Sequence, residues 1–216
     1  MNMAGPAPNP VPAVPPEALA RAQRLLARGT RCILGIAAPP GAGKSTLAEA
    51  LAQALGAQAQ VVPMDGFHLA NSELHRLGRA QRKGAADTFD ATGYCHLLRR
   101  LRNPSPGETV YAPSYVRGME EAVAGSIAVP DSTQLVITEG NYLLLDEGDW
   151  AKVRGLLDEA WYLEVDDALR NQRLLARHVQ FGRSREDALA WIASTDTPNA
   201  RRIAASRERA DWVVGE

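Results

Sequence analysis

Cysteine is scarce in this chain, and an excess of charge of either sign is missing. The two cysteines, Cys32 and Cys95, form no C-x-x-C pair and no metal-type spacing. That excludes a disulfide framework and a zinc cluster, and it fits reduced, apolar-packed thiols in a cytoplasmic protein. Lys and Arg total 24 against 25 Asp and Glu, for a net charge of −1. The basic surplus of a nucleic-acid binder is absent, so no nucleic-acid partner is expected. No apolar run approaches the roughly 20 residues of a membrane helix, so no membrane partner is expected either. Residues Met1 to Pro16 carry six prolines but neither a charged start nor an apolar core. This stretch therefore reads as a disordered, polyproline-like tail and not as a signal peptide. Internal repeats are absent, as is the N-K-x-D segment that reads guanine in a GTP switch.

What is present is an ordinary globular composition, 45% apolar and 23% charged. Residues 17–216 are long enough for one domain with a sizeable core. The most informative stretch runs from Ile33 to Thr46. An apolar strand (Arg31 to Ala38) leads into Ala38-x-x-Gly41-x-Gly43-Lys44-Ser45, and a helix follows from Lys44 to Leu55. Ala38 replaces the first glycine of the G-x-x-x-x-G-K-[ST] phosphate loop. The chemistry survives that change. Gly41 and Gly43 let the backbone turn its N–H groups around a polyphosphate. Lys44 reaches the β- and γ-phosphates, and the Ser45 hydroxyl can ligate Mg²⁺. The helix N-terminus adds its dipole. The loop residues Pro40, Gly41, Ala42, Gly43, Lys44, Ser45 and Thr46 are thus the candidate nucleotide site. A glycine-rich turn that binds nothing is the competing reading, and the order strand, glycines, Lys-Ser, helix argues against it.

Strands and helices alternate along the rest of the chain. Helices are expected at Pro16 to Arg28, Leu69 to Leu77, Tyr94 to Leu101, Trp150 to Leu157, Asp167 to Gln180, Arg185 to Ser194 and Asn199 to Arg209. Strands are expected at Gln60 to Met64, Gln134 to Thr138, Glu159 to Val165 and Asp211 to Val214. An accessory hairpin pairs Thr109 to Tyr115 with Ser126 to Val129, and Gly78 to Asp90 reads as a loop. This alternation implies a three-layer α/β fold with a mainly parallel sheet and helices on both faces.

Ligands of such sheets collect at the carboxyl ends of the strands. Asp65 ends one strand and Glu139 another. A carboxylate there can hold Mg²⁺ or accept the proton of a hydroxyl under phosphorylation. Asp65, in Met64-Asp65-Gly66-Phe67-His68, is the better base, and Glu139, with Ser45, suits the metal side. An Asx-turn or helix cap is the structural alternative for Asp65, and a turn is the alternative for Glu139. Arg170, Arg173 and Arg177 fall at helical spacing on one face, with Arg183 and Arg185 beyond. A basic helix beside a nucleotide site can act as a lid over about residues 170–190 and neutralise transition-state charge. His68, Lys83, Tyr115 and Arg117 are weaker candidates for an acceptor pocket. The four tryptophans read as core.

Together these motifs resemble the uridine kinase, pantothenate kinase and phosphoribulokinase superfamily. The resemblance rests on the loop, Asp65-Gly66-Phe67-His68, Arg82-Lys83-Gly84 with Asp87-Thr88-Phe89-Asp90, Pro113-Ser114-Tyr115, Glu139-Gly140-Asn141, and Arg170-x-x-Arg173 with Arg177-His178. Within the superfamily the chain is most similar to a bacterial nucleoside/nucleotide kinase-like branch that includes candidate fructose transport system kinases. The resemblance implies a phosphate-loop kinase that uses ATP and Mg²⁺ on the hydroxyl of a small molecule. It makes Asp65 the general base and gives phosphates and metal to Lys44, Ser45 and Thr46. Glu139 falls near metal and acceptor, Tyr115 and Arg117 in the acceptor stretch, and Arg173 and Arg177 in the lid. Ala38-Pro39-Pro40 and His68 depart from uridine kinases, so a nucleoside, a sugar and a pantothenate-like alcohol all stay open as acceptors. An ATPase or nucleotide-dependent regulator without an acceptor is the alternative, and a homodimer is left open.

Overall fold

The structure is a computed structural model that describes residues 14–215. The expected proline-rich tail falls mostly on residues 1–13, which lie outside the described residues. Val14 already packs against the core, and the first helix, α1, spans Pro16–Leu26. Pro16 suits the first turn because its missing N–H would have no partner there.

The strand β1 (Cys32–Ala37) is buried along its whole length. Cys32, Leu34 and Ile36 face one apolar cluster, and Ile33 and Ala37 face another. That two-sided burial is what a central parallel strand requires. Its neighbours are β5 (Leu135–Gly140) and β6 (Glu159–Leu163), with β2 (Ala59–Val61) beyond β5 and β7 (Trp212–Val214) beyond β6. Among the described residues these five strands form one sheet in the order β2-β5-β1-β6-β7, and every pairing is parallel. Helix α1 and the loop helix α2 (Lys44–Leu55) cover one face through Ala18, Leu25, Ala48 and Leu51. Helix α4 (Ala91–Arg102) covers the other through Tyr94, Leu98 and Leu101. Each fully buried Leu or Ile contributes about 1.5–3 kcal/mol, so both faces are strongly specified. The architecture is the expected three-layer α/β fold.

Four details differ from the sequence expectation, each for a local reason. The second strand stops at Val61, because Pro63 cannot donate to a ladder, and Met64–Phe67 becomes a 3₁₀ turn. The hairpin of β3 (Val110–Val116) and β4 (Glu121–Val129) is longer than expected, since β4 starts five residues before Ser126. Its exposed face needs no apolar alternation, which hid it. The segment Trp150 to Leu157 is not an α-helix but two 3₁₀ turns, Gly148–Lys152 and Arg154–Leu156. Trp150, Val153 and Leu157 are buried at helical spacing, but Gly155 sits where the turns need a helix former. Finally, helix α6 (Arg185–Trp191) does not end in a loop. It continues through a π-helical segment, Ile192–Asp196, into α7 (Thr197–Ala204). Pro198 has no N–H for the Ser194 carbonyl, and a widened turn absorbs that loss.

Candidate active site

The phosphate loop leaves the carboxyl end of β1. Gly41 (φ +84°) and Gly43 (φ +92°) hold left-handed backbone there. A side chain at Gly41 would also sit 2.8 Å from Leu174 Cγ and 2.9 Å from the Arg170 carbonyl, so glycine is required twice over. The Ala42 N–H donates to the Pro39 carbonyl at 3.3 Å and closes the turn. Pro40 offers no N–H. The first-turn amides of α2 have no acceptor within the helix, which leaves them for the oxygens of an anion. Thr46 is exposed at the mouth.

Register places the next group. Ile36 pairs with Glu139 across β1 and β5, so the carboxylate stands beside the loop. Glu139 is 3% exposed and Lys44 8%. Ser45 Oγ donates to Glu139 Oε1 at 2.8 Å, and Lys44 Nζ lies 3.8 Å from Oε2. Burial pushes the Glu139 carboxyl above its usual range, against the pull of Lys44 and of the Ser45 hydrogen bond. Added positive charge here would hold Glu139 ionised. Asn141 Oδ1 is buried without a hydrogen-bond partner on the same cleft. Ser45, Glu139 and Asn141 are hard oxygen donors, and Mg²⁺ bound to few protein groups plus phosphate oxygens suits such a set.

Asp65 sits on the 3₁₀ turn after β2. The close approach of Gly66 to the Pro113 carbonyl, where a Cβ would collide, clamps that turn to the hairpin. The Asp65 side chain does not cap the turn, so the capping alternative does not hold. It is partly exposed, with Arg117 Nη2 3.7 Å from Oδ2. The Asp65 carbonyl lies 2.8 Å from His68 Nδ1. A carbonyl only accepts, so Nδ1 carries the proton and Nε2 keeps its lone pair. The His68 ring stacks between Phe89 (4.0 Å) and Tyr115 (4.5 Å), and burial lowers its pKa from the ordinary 6.5. The imidazole is therefore neutral at pH 7. Tyr115 Oη donates to Glu120 Oε2 at 2.7 Å. Lys83 Nζ donates to Asn71 Oδ1 at 2.6 Å and to the Glu120 carbonyl, and lies 5.2 Å from the centre of the Tyr115 ring.

Helix α5 (Asp167–Gln180) is capped by Asp166, which accepts from the N–H groups of Ala168 and Leu169. Its arginines do not act as one face. Arg170 is buried behind the loop and pairs with Asp167 at 3.0 Å. Arg173 brings Nη1 within 3.8 Å of where a Gly43 Cβ would stand. Arg177 enters the cleft, and burial and the neighbouring Arg117 pull it below the ordinary arginine value. His178 Nε2 meets Asp196 Oδ2 at 2.8 Å and ties the helix to the π segment.

One cleft of about 710 Å³ joins these parts. Pro40, Lys44 and Ser45 line it from the loop; Asp65, His68, Lys83, Tyr115 and Arg117 line it from the acceptor side. Glu139 stands against the loop but is not itself a wall of the cleft, and neither is Arg173. Sequence reasoning missed Asn71, Phe89, Glu120 and Asp196. It saw Asn141 only as part of a turn after Glu139.

Residues 33–215 match the model of the Phosphoribulokinase / Uridine kinase family. The chain belongs to this family. Among its phosphoribulokinase / uridine kinase relatives is a candidate uridine kinase, C227.14 of Schizosaccharomyces pombe. It is 36% identical over 171 residues, 75% of this chain and 72% of that one. The ATP-dependent kinase-like protein notR' of Aspergillus versicolor is 35% identical over 152 residues, 67% of this chain and 88% of the relative. The crystal structure of a candidate fructose transport system kinase from Silicibacter sp. TM1040 superimposes with a TM-score of 0.82. It is 38% identical and covers 91% of this chain and 98% of that one. The phosphoribulokinase / uridine kinase family is a kinase family, and ATP use comes with it. Among the described residues no helix is long and apolar enough to cross a membrane.

Proposed function

We propose that the protein transfers the γ-phosphoryl group of ATP to a hydroxyl of a small molecule. The observation that carries this is the single cleft shared by Lys44 and Ser45 at one wall and the Asp65 carboxylate at another. Amides of Gly41, Gly43, Lys44, Ser45 and Thr46 grip the triphosphate, and Lys44 neutralises its β- and γ-oxygens. Ser45 and Glu139 hold Mg²⁺, which when bound screens the phosphate charge. The acceptor hydroxyl lies against Asp65. As its oxygen bonds to the γ-phosphorus, Asp65 takes the proton, the bond to the bridging oxygen breaks, and ADP leaves. Arg177 and Arg173 in the lid, about residues 170–190, stabilise charge on the transferring group. His68, Tyr115, Arg117 and Lys83 face the acceptor.

Residues 17–216 act as one kinase domain in this reading. Reduced, buried Cys32 and Cys95 suit a cytoplasmic setting.

Asp65→Asn tests the assignment. Turnover should fall by about 10²–10⁴-fold, the usual worth of a positioned base, while binding of a non-hydrolysable ATP analogue stays near normal. Near-normal turnover of the variant would overturn the base assignment. ATP hydrolysis with no phosphorylated product, across an acceptor panel, would favour the ATPase reading.

A further inference from the structure

The acceptor end of the cleft holds more positive charge than its own carboxylates neutralise. Lys83 is held by a side-chain amide and a backbone carbonyl, both uncharged, and among the described residues no carboxylate lies within 4.0 Å of it. Burial lowers its pKa, which marks a charge short of compensation. Arg117 has one carboxylate near it, Asp65 at 3.7 Å. Phosphoryl transfer would occupy that group with the acceptor's proton. The other carboxylates of the cleft are engaged elsewhere: Glu120 accepts from Tyr115, and Asp196 meets His178. Arg183 lies over the Trp191 ring at 3.9 Å on the same wall. Lys44 and Arg177 are accounted for by the nucleotide.

A neutral acceptor would thus leave an ammonium and a guanidinium without water or counter-ion beneath the lid, which is costly. An anionic acceptor removes that cost, and arginine and lysine together suit carboxylate or phosphate oxygens. The surrounding groups fit a hydroxylated compound. Neutral His68 offers an Nε2 lone pair with no partner among the described residues, and that nitrogen can accept from a second hydroxyl.

We propose that the acceptor is a hydroxylated organic anion whose hydroxyl meets Asp65 while its carboxylate or phosphate ester is held by Lys83 and Arg117. This rests on the kinase reading above and narrows its acceptor to one charge class.

Matched acceptors test it. ADP release and product formation are measured with glycerol, glycerate and glycerol 3-phosphate, with pantothenyl alcohol and pantothenate, and with uridine. At least one anion should exceed its neutral partner in kcat/KM by about tenfold or more, the worth of one charge-assisted contact. Whether glycerate or glycerol 3-phosphate leads distinguishes carboxylate from phosphate ester. Lys83→Gln should raise KM for the preferred anion by about tenfold, with kcat less affected, and Lys83→Arg should restore part of it. A second measurement does not need turnover. With ADP and Mg²⁺ saturating, the same anions should raise the melting temperature of the wild type more than that of Lys83→Gln.

Preference for uridine or any other uncharged alcohol overturns the anion proposal and leaves the kinase reading standing. So does an unchanged KM in Lys83→Gln. If no anion stabilises the ADP-loaded protein and none is phosphorylated, the proposal also falls. Stabilisation that depends on Lys83, without phosphoryl transfer to any compound, supports the anion site and overturns the kinase reading.

Discussion

The two ends of the cleft are built differently. At the loop end, one continuous run of chain, β1 through α2, supplies nearly everything, and the neighbouring strand adds Glu139 through its register. The charges interlock there: Lys44 and Ser45 both address Glu139. At the acceptor end, Asp65, Lys83, Arg117 and Arg177 come from four separate segments, and neutral oxygens and aromatic rings do most of the holding. The loop end is anchored in the sheet, where backbone geometry and core packing dictate it. The acceptor end stands on a hairpin and short turns, where side chains can change without disturbing the sheet. A family that keeps one phosphoryl donor and varies the acceptor needs such a division.

The contrast should appear first in stability. Gly41→Val places a branched side chain in left-handed backbone against Leu174, and strain plus overpacking should cost about 2–5 kcal/mol. Gly118→Val at the hairpin tip meets nothing within 4 Å and should stay within about 0.5 kcal/mol. Urea unfolding compares the two, and equal midpoints would erase the distinction. Gly41→Val should also lose binding of an ATP analogue.

Kinetics sharpen it next. Lys44→Met should lower kcat/KM by about 10²–10³-fold, as for loss of a preorganised electrostatic group, whichever acceptor is used. Tyr115→Phe removes only the hydrogen bond to Glu120. It should raise the acceptor KM by a few-fold, about 1 kcal/mol, with the KM for ATP unchanged. A parallel rise in both KM values would show that the two ends are not separable.

The smallest effect is a pH slope. The ring of His68 is buried among Phe89, Tyr115, Asp65, Lys83 and Arg117, and its folded pKa lies below the ordinary 6.5. As pH falls, the unfolded chain takes up this proton first. The stabilising contribution is therefore full above about 6.5 and declines as pH drops through the folded value. Denaturant unfolding between pH 5 and 8, about the range where histidine titrates, should show a shallower acid decline for His68→Gln. An unchanged decline would assign it to other groups.

The sequence was legible where function and fold share one stretch of chain. From Arg31 to Leu55 the strand, the glycines and the helix are contiguous, so their order alone located the loop. Asp65 and Glu139 could be read as strand ends, since apolar runs precede both. Spacing could not reveal that Lys83 would hang over Tyr115, or that Glu120 would take the tyrosine hydroxyl, because hairpin pairing brings those residues together. Glu120 even adopts φ +53°, unusual for a residue other than glycine, and no local pattern announces it. Arg170 shows the opposite error: helical spacing grouped it with Arg173 and Arg177, but its place in the first turn buries it behind the loop.

The contact of Leu174 with Gly41 makes the root of the arginine helix the outer wall of the phosphate cradle. An incoming triphosphate is pressed against a surface that belongs to the moving part of the enzyme. Occupancy of the donor site is thereby felt mechanically, through a leucine, by the segment that must swing shut over the acceptor.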